Sequence, residues 1–126
     1  MKKILIDRPP SDFKTWKNLK NHQKKIASTS IQQHFKNETN RLDYTWLEWE
    51  NFIVDISKNR IDRKAFDLLL NLAKEVELKE AIEAQFSGTK INETENRAVL
   101  HTALRGLDDK PVLVDGSDII PELRAT

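Results

Sequence analysis

The sequence predicts a mainly α fold carrying one small β-hairpin. Apolar residues recur at helical spacing through the N-terminal third and again after residue 62, and the stretches open on residues able to cap them. Between these regions, Leu42, Tyr44 and Trp46 alternate with Asp43 and Thr45. An apolar, β-branched run from Phe52 to Ile56 follows Glu50-Asn51. No internal repeat or low-complexity tract interrupts the pattern.

Residues 1–10 read as an extended tail, because Pro9-Pro10 breaks any early structure. Ser11 or Asp12 is placed to cap a helix by accepting a free N–H of its first turn. Phe13, Trp16, Leu19 and Ile26, then Ile31 and Phe35 after Ser28-Thr29-Ser30, give one or two amphipathic helices over residues 11–36. Polar residues 36–40 read as a loop. A two-stranded hairpin follows over residues 42–57. An isolated hairpin is marginal in water, so Trp46, Trp49 and Phe52 are expected to pack it on the helices, in preference to forming a ligand box.

Helices with a short extended piece fill residues 62–126. Asp62 caps the first, which carries Ala65, Phe66, Leu69, Leu70 and Ala73. A second begins near Glu77, with Leu78, Ile82 and Phe86 in one stripe, and Gly88 suits a left-handed cap at its end. Thr94 opens a third helix that runs to about Leu104 and stops at Gly106, with Glu95 complementing the dipole of its first turn. Val112 to Val114 is extended, Asp115-Gly116 is a turn, and Ser117 or Asp118 caps a final helix.

A chain of 126 residues suits one domain, here a single segment over residues 1–126, able to bury roughly 65–70% of its unfolded surface. With 38% hydrophobic and 33% charged residues it is polar for a self-contained globule and suited to a cap resting on something larger. Residues 1–36 hold nine Lys/Arg and two Asp/Glu, whereas the remainder is net acidic, so that the whole carries +1. A basic segment raises the possibility of nucleic acid or membrane as partner. However, Lys14, Lys17, Lys20, Lys24 and Lys25 are spaced as a solvated helix face, and no aromatic ladder alternates with them for base stacking. Neither nucleic acid nor membrane is expected. The absence of cysteine excludes disulfides and thiolate metal sites. The start lacks the run of about 7–15 apolar residues of a secretory leader, and no stretch approaches the ~20 of a membrane span.

The densest motif is the run from Gly88 to Arg105, GTKINETENRAVLHTALR. Pro111-Val112-Leu113-Val114-Asp115-Gly116 follows, with Asp118 and Pro121-Glu122. Upstream stand Phe52 to Ile61, FIVDISKNRI, and further back Phe35 and Arg41. In this order these motifs resemble the N-terminal part of the glucose-6-phosphate isomerase family. The resemblance spans Phe35 to Glu122, with Ile56 in place of a usual tyrosine and Thr89 in place of an acidic residue. It implies the N-terminal helical segment of an α/β sugar-isomerase enzyme several times longer, with two αβα subdomains. The implied parent is a cytoplasmic, cofactor-independent homodimer that interconverts glucose 6-phosphate and fructose 6-phosphate in glycolysis and gluconeogenesis.

Such a reaction needs a phosphate cradle, a carboxylate base near the carbon acid, and a positive group for the developing oxyanion. The resemblance places these in family segments for which this sequence has no matching motif, so no catalytic, substrate, cofactor or metal residue is assigned. The chain's expected partner is the remainder of the isomerase, and alone it is expected to be structural and inactive. The alternative is a free-standing helical protein-binding module derived from that enzyme. Glu95 and His101, six apart, are expected on different faces of the signature helix. Arg97 and Arg105 are candidates for steering phosphate, or for pairing with Glu93, Asp108 or the rest of the enzyme. His22 and His34 lack metal-ligand spacing.

Overall fold

The computed structural model describes residues 5–106 and 110–125. Residues 1–4 of the expected tail, Asp108 and Thr126 lie outside them. The chain is mainly α with a small antiparallel hairpin, as its sequence predicts. Contacts divide it into two compact units, Pro9–Glu75 and a second built from the described residues before Pro9 together with Val76 onward.

The first unit begins with a 3₁₀ turn, Pro10–Asp12. That turn displaces the expected cap. Its carbonyls at Pro9 and Pro10 take the N–H groups of Asp12 and Phe13, and the helix α1 (Lys14–Ile26) opens on buried Phe13 with no side-chain cap. Ser30 caps α2 (Ile31–Asn37), accepting from the Gln33 N–H at 3.1 Å. The segment Leu42–Thr45, expected as strand, is instead a helical turn, α3. Tyr44 and Thr45 are neighbours and both buried, which alternation forbids, and the Thr45 hydroxyl donates back to the Arg41 carbonyl at 2.7 Å.

The hairpin proper is β1 (Trp46–Trp49) and β2 (Phe52–Asp55), closed by Glu50 in the left-handed region at φ 49°. The Ile56 N–H donates to the Thr45 carbonyl at 2.8 Å and seals its base. Trp46, Trp49 and Phe52 are all exposed, contrary to their expected role in packing the hairpin on helices. Within the hairpin the Trp49 and Phe52 rings stack, and the Trp46 indole N–H donates to Glu48.

Helix α4 (Arg63–Glu75) packs against α1. The buried side of α1 runs through Thr15 and His22, with half-buried Leu19 and Ile26 on the same stripe. His22 donates its Nε2–H to both carboxylate oxygens of Asp62, at 2.8 and 2.9 Å. Asp62 also accepts the Ala65 N–H at 2.8 Å, so it caps α4 and pins α1 to it with one carboxylate. Burial opposes its ionisation. The Ala65 N–H and His22 outweigh that, and the carboxyl is held below the usual aspartate range.

Arg41 is 1% exposed and organises the loops around α4. Its guanidinium donates to the carbonyls of Ser57 (2.9 Å), Asn59 (2.7 Å) and Ile61 (2.7 Å), and to Glu38 (2.8 Å). Glu38 in turn accepts the Tyr44 hydroxyl at 2.7 Å and the Arg63 N–H at 2.8 Å. Burial pushes the Glu38 carboxyl up, but Arg63, Tyr44 and Arg41 more than reverse it. Burial, then the Glu38 carboxylate, pushes the Tyr44 phenol to about 12.

In the second unit, α5 (Leu78–Phe86) starts after Glu77 in the left-handed region. Its buried residue is Ala84, while the expected core stripe Leu78, Ile82 and Phe86 is exposed. Gly88, at φ +76°, leaves no room for a side chain: a Cβ would sit 2.8 Å from the Leu113 carbonyl oxygen. A two-residue hairpin, β3 (Leu113–Val114) and β4 (Ser117–Asp118), turns through Asp115 and Gly116, both left-handed. Ser117 and Asp118, expected as helix caps, thus pair as a strand. The Asp118 carboxylate still accepts the Ile120 N–H, and that of Val112, each at 3.1 Å.

Three outcomes follow. Arg41→Ala takes the cation from Glu38 and the donors from three carbonyls and is expected to cost about 3–5 kcal/mol in urea unfolding, with Arg41→Lys recovering only part, because an ammonium does not reproduce the planar fork that reaches them. The depressed carboxyls of Glu38 and Asp62 contribute stability that is complete above the ordinary carboxylate range and is lost as pH falls through their lower folded values. Unfolding followed from about pH 7 to pH 3 should therefore show decreasing stability, and Asp62→Ala should flatten that fall while costing about 1 kcal/mol at neutral pH. Gly88→Ala should lower the melting temperature, since it meets both a left-handed φ and the Leu113 carbonyl, a cost of about 1–2 kcal/mol or more.

Candidate functional site

The signature run folds around Asn92. Its backbone N–H and carbonyl bond those of Arg97 in both directions at 3.1 Å, closing a four-residue loop. The Asn92 carboxamide oxygen accepts the Thr94 hydroxyl at 2.8 Å and the Glu95 N–H at 3.2 Å, and its amide donates to the Glu95 carboxylate at 3.2 Å. Asn96 sits in the left-handed region at φ 51°. This local bonding overturns the expected helix from Thr94. An asparagine side chain that satisfies nearby N–H groups offers the backbone an alternative to the helix, and a left-handed residue cannot continue one. The helix α6 begins only at His101 and ends at Arg105.

This loop forms one wall of an open depression of about 590 Å³, lined among others by Lys90, Asn92, Glu95, Arg97, His101 and Asp115. Lys90 reaches Asp115 at 2.8 Å across it. Arg97 lies 3.7 Å from Glu95 at the surface. Among the described residues it pairs with Glu95, two residues away; the expected partner Asp108 lies outside them. Because Glu95 is not helical, it and His101 line the same depression, where a continuous helix would have separated them. Arg105 lies elsewhere, at the end of α6, in a second open depression of about 550 Å³ with Gln85, Phe86 and His101. His101 therefore lines both depressions, one with Arg97 and the other with Arg105, and the two arginines line different ones.

The arrangement can bind and orient polar groups through amides, an imidazole and two cations, each cation already holding a carboxylate. Among the described residues no group of three or more His, Asp or Glu side chains is placed to hold a metal. Nor is any helix long and apolar enough to cross a membrane. His22 and His34, set aside in the sequence for want of ligand spacing, are both buried; His22 bonds Asp62, whereas the His34 Nε2 has no hydrogen-bond partner among the described residues. For His22 the signal was present, since it stands on the stripe of Leu19 and Ile26. The Ser28-Thr29-Ser30 triplet contributes a helix cap.

Residues 55–126 match the family model described as phosphoglucose isomerase. The chain is 48% identical over 113 residues to glucose-6-phosphate isomerase of Buchnera aphidicola subsp. Schizaphis graminum, covering 89% of this chain and 20% of that protein. It is 44% identical over 115 residues to glucose-6-phosphate isomerase of Christiangramia forsetii, covering 91% and 21%. The chain thus spans about a fifth of the length of the curated relatives it matches. The matched region contains the Asn92 loop, Gly88 packed beneath β3 and the Asp115-Gly116 turn, and on that match this chain belongs to the phosphoglucose isomerase family.

Proposed function

We propose that this chain is the N-terminal part of a glucose-6-phosphate isomerase, whose full-length form interconverts glucose 6-phosphate and fructose 6-phosphate in the cytoplasm as a homodimer, without a cofactor. Its two units together serve as one structural segment of that enzyme. The observation that carries the reading is coverage: nine-tenths of this chain aligns with a fifth of two proteins that bear the isomerase name. The chemistry agrees. Moving a proton between C1 and C2 needs a base and an oxyanion-holding cation in a site that excludes water. Glu95 and Arg97 instead pair with each other on an open surface. The sugar phosphate is accordingly held by segments that this chain does not supply, and the role of the 126 residues is scaffolding.

Purified, and freed of host isomerase, the chain should give no turnover of fructose 6-phosphate in a dehydrogenase-coupled assay. A chimera in which this chain replaces the matching stretch of the Buchnera enzyme should turn over. Robust activity of the isolated chain, or an inactive but folded chimera, would overturn the reading.

A further inference from the structure

The β1–β2 hairpin has two unlike faces. Its register sets Leu47 opposite Val54 and Trp49 opposite Phe52. Cross-strand partners share a face, as do residues two apart on one strand. One face is therefore Leu47, Trp49, Phe52 and Val54, without a polar side chain. The Trp49 and Phe52 rings stack on it at 5.7 Å between centroids and 19° between planes. The opposite face carries Trp46, Glu48, Ile53 and Asp55. The apolar ladder is open to solvent: Leu47 is 48% exposed, Trp49 67%, Phe52 63% and Val54 48%. Together they present about 450 Å² of contiguous apolar surface, a size that in monomers commonly marks a contact site.

Two considerations identify what covers it. A free-standing interface needs about 800 Å² from each partner, and the ladder supplies roughly half. The hairpin from Trp46 to Asp55 also carries Glu48, Glu50 and Asp55 with no Lys or Arg, so a second copy laid against it meets like charge. A patch this small is sufficient when the same polypeptide delivers its partner at high effective concentration. The chain spans about a fifth of its relatives' length, so most of such a polypeptide lies outside it. We infer that the Leu47–Trp49–Phe52–Val54 face docks on an apolar surface of the remaining isomerase polypeptide, an inference that rests on the reading under Proposed function.

Trp49 reports on this directly. With Trp16→Phe and Trp46→Phe in place, and every tryptophan of the Buchnera portion likewise replaced by phenylalanine, acrylamide quenching of Trp49 is measured in the isolated chain and in the chimera. Docking predicts efficient quenching in the isolated chain, independent of its concentration, and at least about threefold weaker quenching in the chimera, because packed interfaces exclude the quencher. Trp49→Ser with Phe52→Ser removes one exposed cross-strand pair from the isolated chain and should lower the melting temperature of the chimera by clearly more than that of the isolated chain; an equal drop in both overturns the docking. Equal quenching in the two proteins overturns the docking, as does protection in the isolated chain that grows with concentration, which would assign the face to a second copy. Chimera activity is scored separately. A protected Trp49 in an inactive chimera supports the docking and counts against the isomerase reading, whereas an exposed Trp49 in an active chimera does the reverse.

Discussion

A buried guanidinium organises the unit from Pro9 to Glu75. Arg41 cannot lose its charge, so burying it requires acceptors on every side. The chain supplies them by wrapping the segment after β2 around it, turning the carbonyls of Ser57, Asn59 and Ile61 inward. Once those carbonyls are fixed, Asp62 is delivered to the start of α4, where it meets His22 of α1. Glu38 completes the arrangement from the other side, because it binds Arg41 and the first N–H of α4 together. Helix packing, loop path and capping are thus consequences of satisfying one cation.

Much of the fold was legible because it is local. Asp62 before an apolar stripe, Gly88 after one, and Asp115-Gly116 between extended residues each specify their backbone within a few positions. What was not legible depends on competition or on distant partners. Thr94 looks like a cap, yet the Asn92 side chain reaches the neighbouring groups first and the helix waits until His101. Leu42, Tyr44 and Trp46 alternate as a strand does, yet the Thr45 hydroxyl bonds back to the Arg41 carbonyl and residues 42–45 form a helical turn. Leu78, Ile82 and Phe86 form a plausible core stripe, but Ala84 turns inward instead.

The candidate site shows the same division. Its residues were visible as a motif, and the motif named the family. Their geometry was not visible, because the loop closed by Asn92 and Arg97 places Glu95 beside the same depression as His101. A recognisable run of sequence therefore specified ancestry and left open which side chains meet. In this chain the run builds a compact loop against a two-residue hairpin, with Lys90 and Asp115 tied across it.

The open β1–β2 hairpin has a colloidal consequence. A two-stranded sheet has two unpaired edges as well as its apolar face, and such ribbons template the addition of further strands. In the absence of a covering surface, Glu48, Glu50 and Asp55 act as gatekeepers that keep like ribbons apart by repulsion. Acid neutralises that repulsion and leaves the apolar face untouched, so without a covering surface the polypeptide is expected to lose colloidal stability as pH falls.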